Sequence, residues 1–240
     1  MLFVLVSPGP PGLRKEGGGR LSDQLTARAG EDLNLECVSA GGNPAPLLSW
    51  VVGGEQMQAS LQQADSRDPT SGLWTSVSRL RLPVSRADNG ASVECIAEHP
   101  ATDEPVIATI RLEIFYPPTV SLSPPVEASA LVEGADLSVS CLADSNPPAR
   151  IAWRRVEPTT GDTVLVGHSP ELVLDPVARA DAGTYQCTAE NEIGLSKPEN
   201  VPIVVHCKYQ NVNLSCIYSS KRHETTSTDY FVCPILYKSL

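Results

Sequence analysis

Lysine and arginine are scarce in this chain, 18 against 28 Asp and Glu in 240 residues, for a formal charge of −10. That balance excludes a nucleic-acid partner, since no cationic excess is there to displace counterions from a phosphate backbone. Nor would anionic lipid draw it to a membrane surface. No apolar run is long enough to span a bilayer. No CxxC pair occurs among the seven cysteines, which weakens metal and thioredoxin-like readings. The histidines, His99, His168, His206 and His223, show neither helical pairing nor metalloprotease spacing, and Gly17-Gly18-Gly19 lacks the lysine and hydroxyl of a phosphate loop. Catalysis needs a positioned nucleophile, base or metal. The expectation is a protein that is not an enzyme and takes no cofactor, metal or small-molecule substrate.

What is present points elsewhere. Aromatics make up only 5% of the chain, but Pro (21) and Gly (17) are plentiful and 41% of residues are apolar. Short strands joined by turns suit this mixture better than packed helices. The chain also repeats itself. Gly30-Glu31-Asp32-Leu33-Asn34-Leu35-Glu36-Cys37 recurs as Gly134-Ala135-Asp136-Leu137-Ser138-Val139-Ser140-Cys141. In both copies apolar residues alternate into the cysteine, the period of a half-buried strand. An Asn-Pro turn follows, at Asn43-Pro44 and Asn146-Pro147, and then Trp50 or Trp153. Pro83-Val84-Ser85-Arg86-Ala87-Asp88 likewise returns as Pro176-Val177-Ala178-Arg179-Ala180-Asp181, and Cys95-Ile96-Ala97-Glu98 as Cys187-Thr188-Ala189-Glu190. Two copies about a hundred residues apart mean two domains of one fold.

The pattern Cys…Trp…Cys, twice over, is that of an immunoglobulin-type β-sandwich. The expected fold is all-β, two such sandwiches in tandem, of constant (C2) or intermediate type. In that fold Cys37 bonds to Cys95 and Cys141 to Cys187 between the two sheets, with Trp50 and Trp153 packed on the bridges. Disulfides place the chain in an oxidising compartment. Asp181-Ala182-Gly183-Thr184-Tyr185-Gln186-Cys187 carries the D-x-G-x-Y-x-C signature, so Tyr185 belongs to the core with its hydroxyl bonded to backbone. The first copy departs from it. One extra residue separates Gly90 from Cys95, and Val93 stands where the tyrosine would be, which predicts a bulge or a longer turn there.

Residues 1–20, rich in Pro, Gly and charge, read as a disordered segment. The first domain then covers 21–116 and the second 117–206, with Pro117-Pro118 ending a strand and forming a short stiff linker. Within the second, Thr163–Val166 reads as one further strand. The first carries a longer insert, Val52–Leu73, read as partly loop, with Trp74 an exposed candidate for contact. The start, Met1-Leu2-Phe3-Val4-Leu5-Val6, has no basic region and makes a poor signal peptide, so the chain reads as part of a longer protein. The tail 207–240 breaks the repeat. Its Cys207, Cys216, His223 and Cys233 suffice in number for zinc but match no recognised finger, and Asn213-Leu214-Ser215 is a candidate N-glycosylation site.

Asn43-Pro44-Ala45-Pro46-Leu47-Leu48-Ser49-Trp50, Ala87-Asp88-Asn89-Gly90-Ala91-Ser92, Glu98-His99-Pro100-Ala101 and Asp144-Ser145-Asn146-Pro147-Pro148-Ala149 resemble the second-type domains of nephrin-like adhesion molecules (the sticks-and-stones and hibris group) and of nectin-like ones. The resemblance covers about residues 21–206. It implies an extracellular segment of a plasma-membrane receptor that recognises cell-surface immunoglobulin-family partners, homophilic or heterophilic, with the membrane reached only through an anchor outside this chain. In those families an outermost variable-like domain makes most of the contact, and none is visible here. A secreted soluble decoy of such a receptor is one alternative. A cytoplasmic structural module resembling the domains of muscle giant proteins is another, against which the complete cysteine pairs count.

Overall fold

Alternation of buried and exposed side chains along short segments builds everything in this protein, and no α-helix occurs among the described residues. The computed structural model describes residues 4–57, 62–124 and 130–206, with the side chains of Gln62 and Ala130 left aside. The tail from 207 on, with Asn213 and the four candidate zinc ligands, lies outside them. The chain divides into two compact units, Met1–Tyr116 and Pro117–Leu240.

The first unit contains β1 (Gly12–Lys15), β2 (Gln24–Arg28), β3 (Asp32–Gly42), β4 (Leu47–Val52), β5 (Glu55–Gln56), β6 (Gln62–Arg67), β7 (Trp74–Pro83), β8 (Ser92–Glu98) and the start of β9 (Val106–Ser123). One sheet has the order β1-β3-β7-β6. The other runs β9-β8-β4-β5, with β2 parallel to β9. Leu33, Leu35 and Cys37 of β3 are buried, as the alternation requires, and meet Leu48 and Trp50 of β4 and Ile110 and Leu112 of β9 in one core. The insert expected to be partly loop supplies β5 and β6, and the rest of its described length is turn and loop.

The second unit takes the remainder of β9, then β10 (Ala130–Val132), β11 (Leu137–Asn146), β12 (Arg150–Val156), β13 (Thr163–Gly167), β14 (Glu171–Leu174), β15 (Gly183–Glu190) and β16 (Glu199–His206). One sheet sets β14 beside β11 and β11 beside β9; the other has the order β10-β16-β15-β12-β13. Val139, Trp153, Leu172, Val177 and Tyr185 form its core. The strand at Thr163 ends one residue beyond its expected limit, at Gly167.

Two expectations need correction. Pro117 and Pro118 do not interrupt β9, which runs from Val106 to Ser123. The ladder of β2 on β9 ends at Phe115, so neither proline is asked for an amide hydrogen there, and the extended backbone that proline favours is close to that of a strand. The N-terminal segment is likewise not disordered over its described length. Val6 and Asn43 exchange backbone hydrogen bonds (3.0 and 2.9 Å), Gly9 N–H donates to Ala40 O at 2.8 Å, and β1 continues along β3 from Val38 to Leu35. Leu13 is 3% exposed, and Pro11 is fully enclosed. Composition misled here because prolines at 8, 10 and 11 lie along a sheet edge, where the missing donor is not needed.

Glu36 fastens this segment. It lies on β3 between Arg14 of β1 (2.8 Å) and Arg79 of β7 (2.9 Å), with its own side chain 6% exposed. Burial alone would raise its carboxyl above the ordinary 4.5, but the hydrogen bonds from Arg79 and Arg14 outweigh burial and hold it below that value. A carboxyl titrating lower in the folded state stabilises fully above its ordinary value, and that contribution is lost as pH falls through the folded value. Thermal melts of the full chain below about pH 4.5 should therefore show a loss of stability that Glu36→Gln largely removes. At neutral pH, Arg14→Ala with Arg79→Ala leaves a covered carboxylate without partners. This should cost about 2–3 kcal/mol, less than for a fully enclosed pair because both arginines are half exposed. Equal stability of the double variant and the parent by urea denaturation would refute the role.

Candidate recognition surface

The residues singled out in the sequence assemble as structural centres, one in each unit. Cys37 and Cys95 are bonded across the first sandwich with Cα atoms 6.3 Å apart, and Cys141 and Cys187 across the second at 6.5 Å. The bridges enclose separations of 58 and 46 residues, worth about 4 kcal/mol each on a chain-entropy account. Trp50 is completely buried and its indole N–H donates to Ser78 Oγ at 2.9 Å. Trp153 is buried as deeply, yet its indole N–H has no partner among the described residues. Tyr185 is buried and its hydroxyl donates to Asp181 O at 3.2 Å, as the signature requires. Arg155 closes that corner, its guanidinium 5.8 Å from the Tyr185 ring and donating to the carbonyls of Ala180 and Ala182 at 2.7 Å. Burial raises the Tyr185 phenol above its ordinary value, only partly opposed by Arg155.

In the first unit Val93 fills the tyrosine's place and is fully buried. The extra residue appears as a longer turn before β8, with Gly90 at φ +82° and Leu112 N–H donating to Ala91 O at 2.8 Å. Asn89 Oδ1 accepts from Ile114 N–H at 2.9 Å. His99 is structural: buried, it donates through Nε2 to Pro44 O (2.9 Å) and accepts at Nδ1 from Ala101 N–H (3.1 Å). Trp74 is half-buried rather than exposed, because Arg67 covers its ring at 5.7 Å.

In the second unit an open groove of about 710 Å³ is lined by Arg150, Arg154, His168, Glu190, Glu192 and Leu195, among others. Its Arg154 is spent on Thr188 Oγ1 at 2.9 Å. Among the described residues no cluster of three His, Cys, Asp or Glu could hold a metal. What the surface does offer is apolar area on sheets. In the first unit, alternation puts Leu47 of β4, Ile96 of β8 and Ile107 of β9 on the outward face, opposite the core residues Leu48, Cys95 and Ile110. Leu47 is 60% exposed and Ile107 53%, and Glu94, Glu98 and Arg111 share that face. Neither this patch nor the Glu36 cluster was marked from sequence. Outward apolar residues are recognisable only once a strand's inward parity is fixed, and for Leu47 and Ile107 that parity could have been read from Trp50 and Ile110.

A family model described as a CD80-like C2-set immunoglobulin domain matches residues 20–106, and one described as an immunoglobulin domain matches residues 117–191. The chain belongs to the immunoglobulin superfamily. Among its curated relatives is human cell adhesion molecule 1, 29% identical over 171 residues that cover 70% of this chain and 38% of the relative. Mouse nectin-2 is 32% identical over 176 residues, covering 70% of this chain and 31% of that protein. The nectin-like side of the expected resemblance is thus supported by relatives in sequence. This chain spans between about a third and two-fifths of the length of such relatives. The crystal structure of the full ectodomain (Ig1–Ig3) of mouse nectin-like molecule 4 matches with a TM-score of 0.65 over 87% of this chain and 68% of that one. At 24% identity this likeness speaks for the fold alone. The immunoglobulin-domain families that both units match are not families of enzymes. No helix among the described residues is long and apolar enough to cross a membrane.

The indole contact separates the two units in a measurable way. Ser78→Ala leaves the Trp50 N–H buried without an acceptor and should destabilise the first unit by about 1–3 kcal/mol in urea denaturation followed by tryptophan fluorescence. A change below about 0.5 kcal/mol would mean that the bond contributes nothing net.

Proposed function

We propose that this chain is an extracellular recognition segment of a cell-surface adhesion protein and that it contacts another immunoglobulin-family protein. The observation that carries this reading is its sequence likeness, across both sandwiches, to nectins and cell adhesion molecules. The two disulfides fit an oxidising, extracellular setting and speak against a reducing cytosol. The contact face is the outward β4–β8–β9 surface of the first unit. There Leu47 and Ile107 hold apolar area in water while Glu94, Glu98 and Arg111 supply a charged surround. Apolar centres with polar rims are how protein interfaces are built. The partner is either a second copy or a different member of the superfamily.

The full chain, produced through a secretory pathway and displayed densely on beads, tests this. Clumping that soluble chain suppresses, or capture of the beads by cells bearing a superfamily member, is the expected result. Leu47→Arg with Ile107→Arg should weaken either response by about tenfold or more, as loss of an interface centre does. Beads that neither clump nor bind any such cell, with the chain shown folded, would overturn the reading. Binding untouched by the double substitution would overturn the face alone.

A further inference from the structure

The outer edge of the second unit carries a different kind of surface. β13 is the last strand of the sheet β10-β16-β15-β12-β13, so it pairs with β12 on one side and no strand follows on the other among the described residues. Its Val164, Leu165 and Val166 are 54%, 52% and 48% exposed. Val164 and Leu165 place apolar area on opposite faces of the strand, and the register against β12 shifts at Val166, between Leu165 and Gly167. Leu165 lies opposite Arg154, on the sheet face of the groove, and Val164 opposite Arg155 on the other.

Proteins guard such edges with charge, proline, bulges or short strands, and this one uses charge or shortness elsewhere. β1 carries Arg14 and Lys15, β6 carries Asp65 and Arg67, β14 begins at Glu171, and β5 is only Glu55-Gln56. β10 has no charge, but it is three residues long and its Leu131 packs on the core. β13 has neither a charge nor a proline over its whole length, and its one irregularity is the register shift at Val166.

We propose that β13 is a homotypic contact, pairing antiparallel with β13 of a second copy about a two-fold axis at Leu165. The strand's own order fits this partner. Antiparallel pairing centred on Leu165 sets Thr163 against Gly167, Val164 against Val166, and Asp162 against His168. The acidic flank of each copy thereby meets the imidazole flank of the other, on both sides of the axis. His168 is exposed and donates through Nδ1 to Ile151 O at 3.2 Å, so it is the imidazolium form, with a second N–H at Nε2, that can donate to the partner's Asp162. Ladder hydrogen bonds supply the unpaired backbone groups, and the apolar triplet leaves water on both faces. A contact of five residues a side is small, so it is weak between free chains and gains from confinement on a surface. It rests on the second unit alone and does not depend on the face proposed for adhesion.

Sedimentation equilibrium of the full chain, with free thiols alkylated, should show a concentration-dependent dimer at hundreds of micromolar, roughly the range of small interfaces. Leu165→Lys should weaken it at least about tenfold, whereas Val173→Lys, at an equally exposed apolar position of β14, should leave it unchanged. Leu165→Cys should give a disulfide-linked dimer under mild oxidation and Val173→Cys should not. In the unmodified protein, amide hydrogens of residues 163–167 should exchange more slowly in concentrated than in dilute solution, a readout independent of how any variant folds. A chain that stays monomeric with unchanged exchange overturns the proposal. So does a dimer that survives Leu165→Lys, or one that Val173→Lys or the Leu47→Arg, Ile107→Arg pair abolishes equally.

Discussion

Two thin sheets can enclose a core only if something holds them face to face, and here a disulfide crossing the sandwich does so in each unit. Cys37–Cys95 and Cys141–Cys187 join strands of opposite sheets, and the indoles of Trp50 and Trp153 lie in the cores they define. The rest follows from this anchor. With the cysteine of β3 fixed inward, Leu33 and Leu35 must face inward too, and Glu36 must face out. Outward on a sheet is still not exposed, because Arg14 and Arg79 on the flanking strands cover it. The same parity, carried through β4, β8 and β9, decides that Leu47 and Ile107 meet solvent.

The two copies meet one requirement by different means. A buried indole N–H needs an acceptor, and Ser78, opposite Cys37 in the register of β3 with β7, provides it. In the second copy Cys141 N–H donates to Pro170 O, so a proline stands in the corresponding place and the Trp153 N–H is left without an acceptor among the described residues. The strand corner shows the reverse. Tyr185 bonds to Asp181 O and is clamped by Arg155 in the second unit, while the first has only Val93 and must close the corner with a longer turn and the Asn89 side chain. Each unit lacks one side-chain bond that the other has.

Much of this was legible because it depends on local pattern. The alternation into each cysteine, the tryptophan spacing and the tyrosine signature are short-range signals that only a sandwich satisfies together. Composition was the weaker guide. Pro8, Pro10 and Pro11 suggested disorder, yet the backbone of Val6 and Gly9 continues a sheet edge around them. Pro117 and Pro118 suggested a break in a strand that runs on. Both errors have one cause: proline removes a donor, and whether that matters depends on which side of the strand has a neighbour, which a single sequence does not reveal. The Glu36 cluster was hidden for a similar reason, since Arg14, Glu36 and Arg79 meet only through pairing across three strands.

The exposed edge at β13 can be traced to chain length. In the first unit the stretch from the end of β4 to the start of β7, residues 53–73, is long enough to lay β5 along one sheet and β6 along the other. In the second unit the corresponding stretch, 157–170, holds only β13 before the chain enters β14. One strand cannot lie on both sheets, and it goes to β12. The opposite sheet then lacks a counterpart of β6, which leaves less of the sandwich to cover the inner side of β13. Val164, opposite Arg155 on that side, is exposed for that reason. A shorter connection has turned core-type residues into a surface, and Asp162 and His168 at its ends give that surface a direction in which to pair.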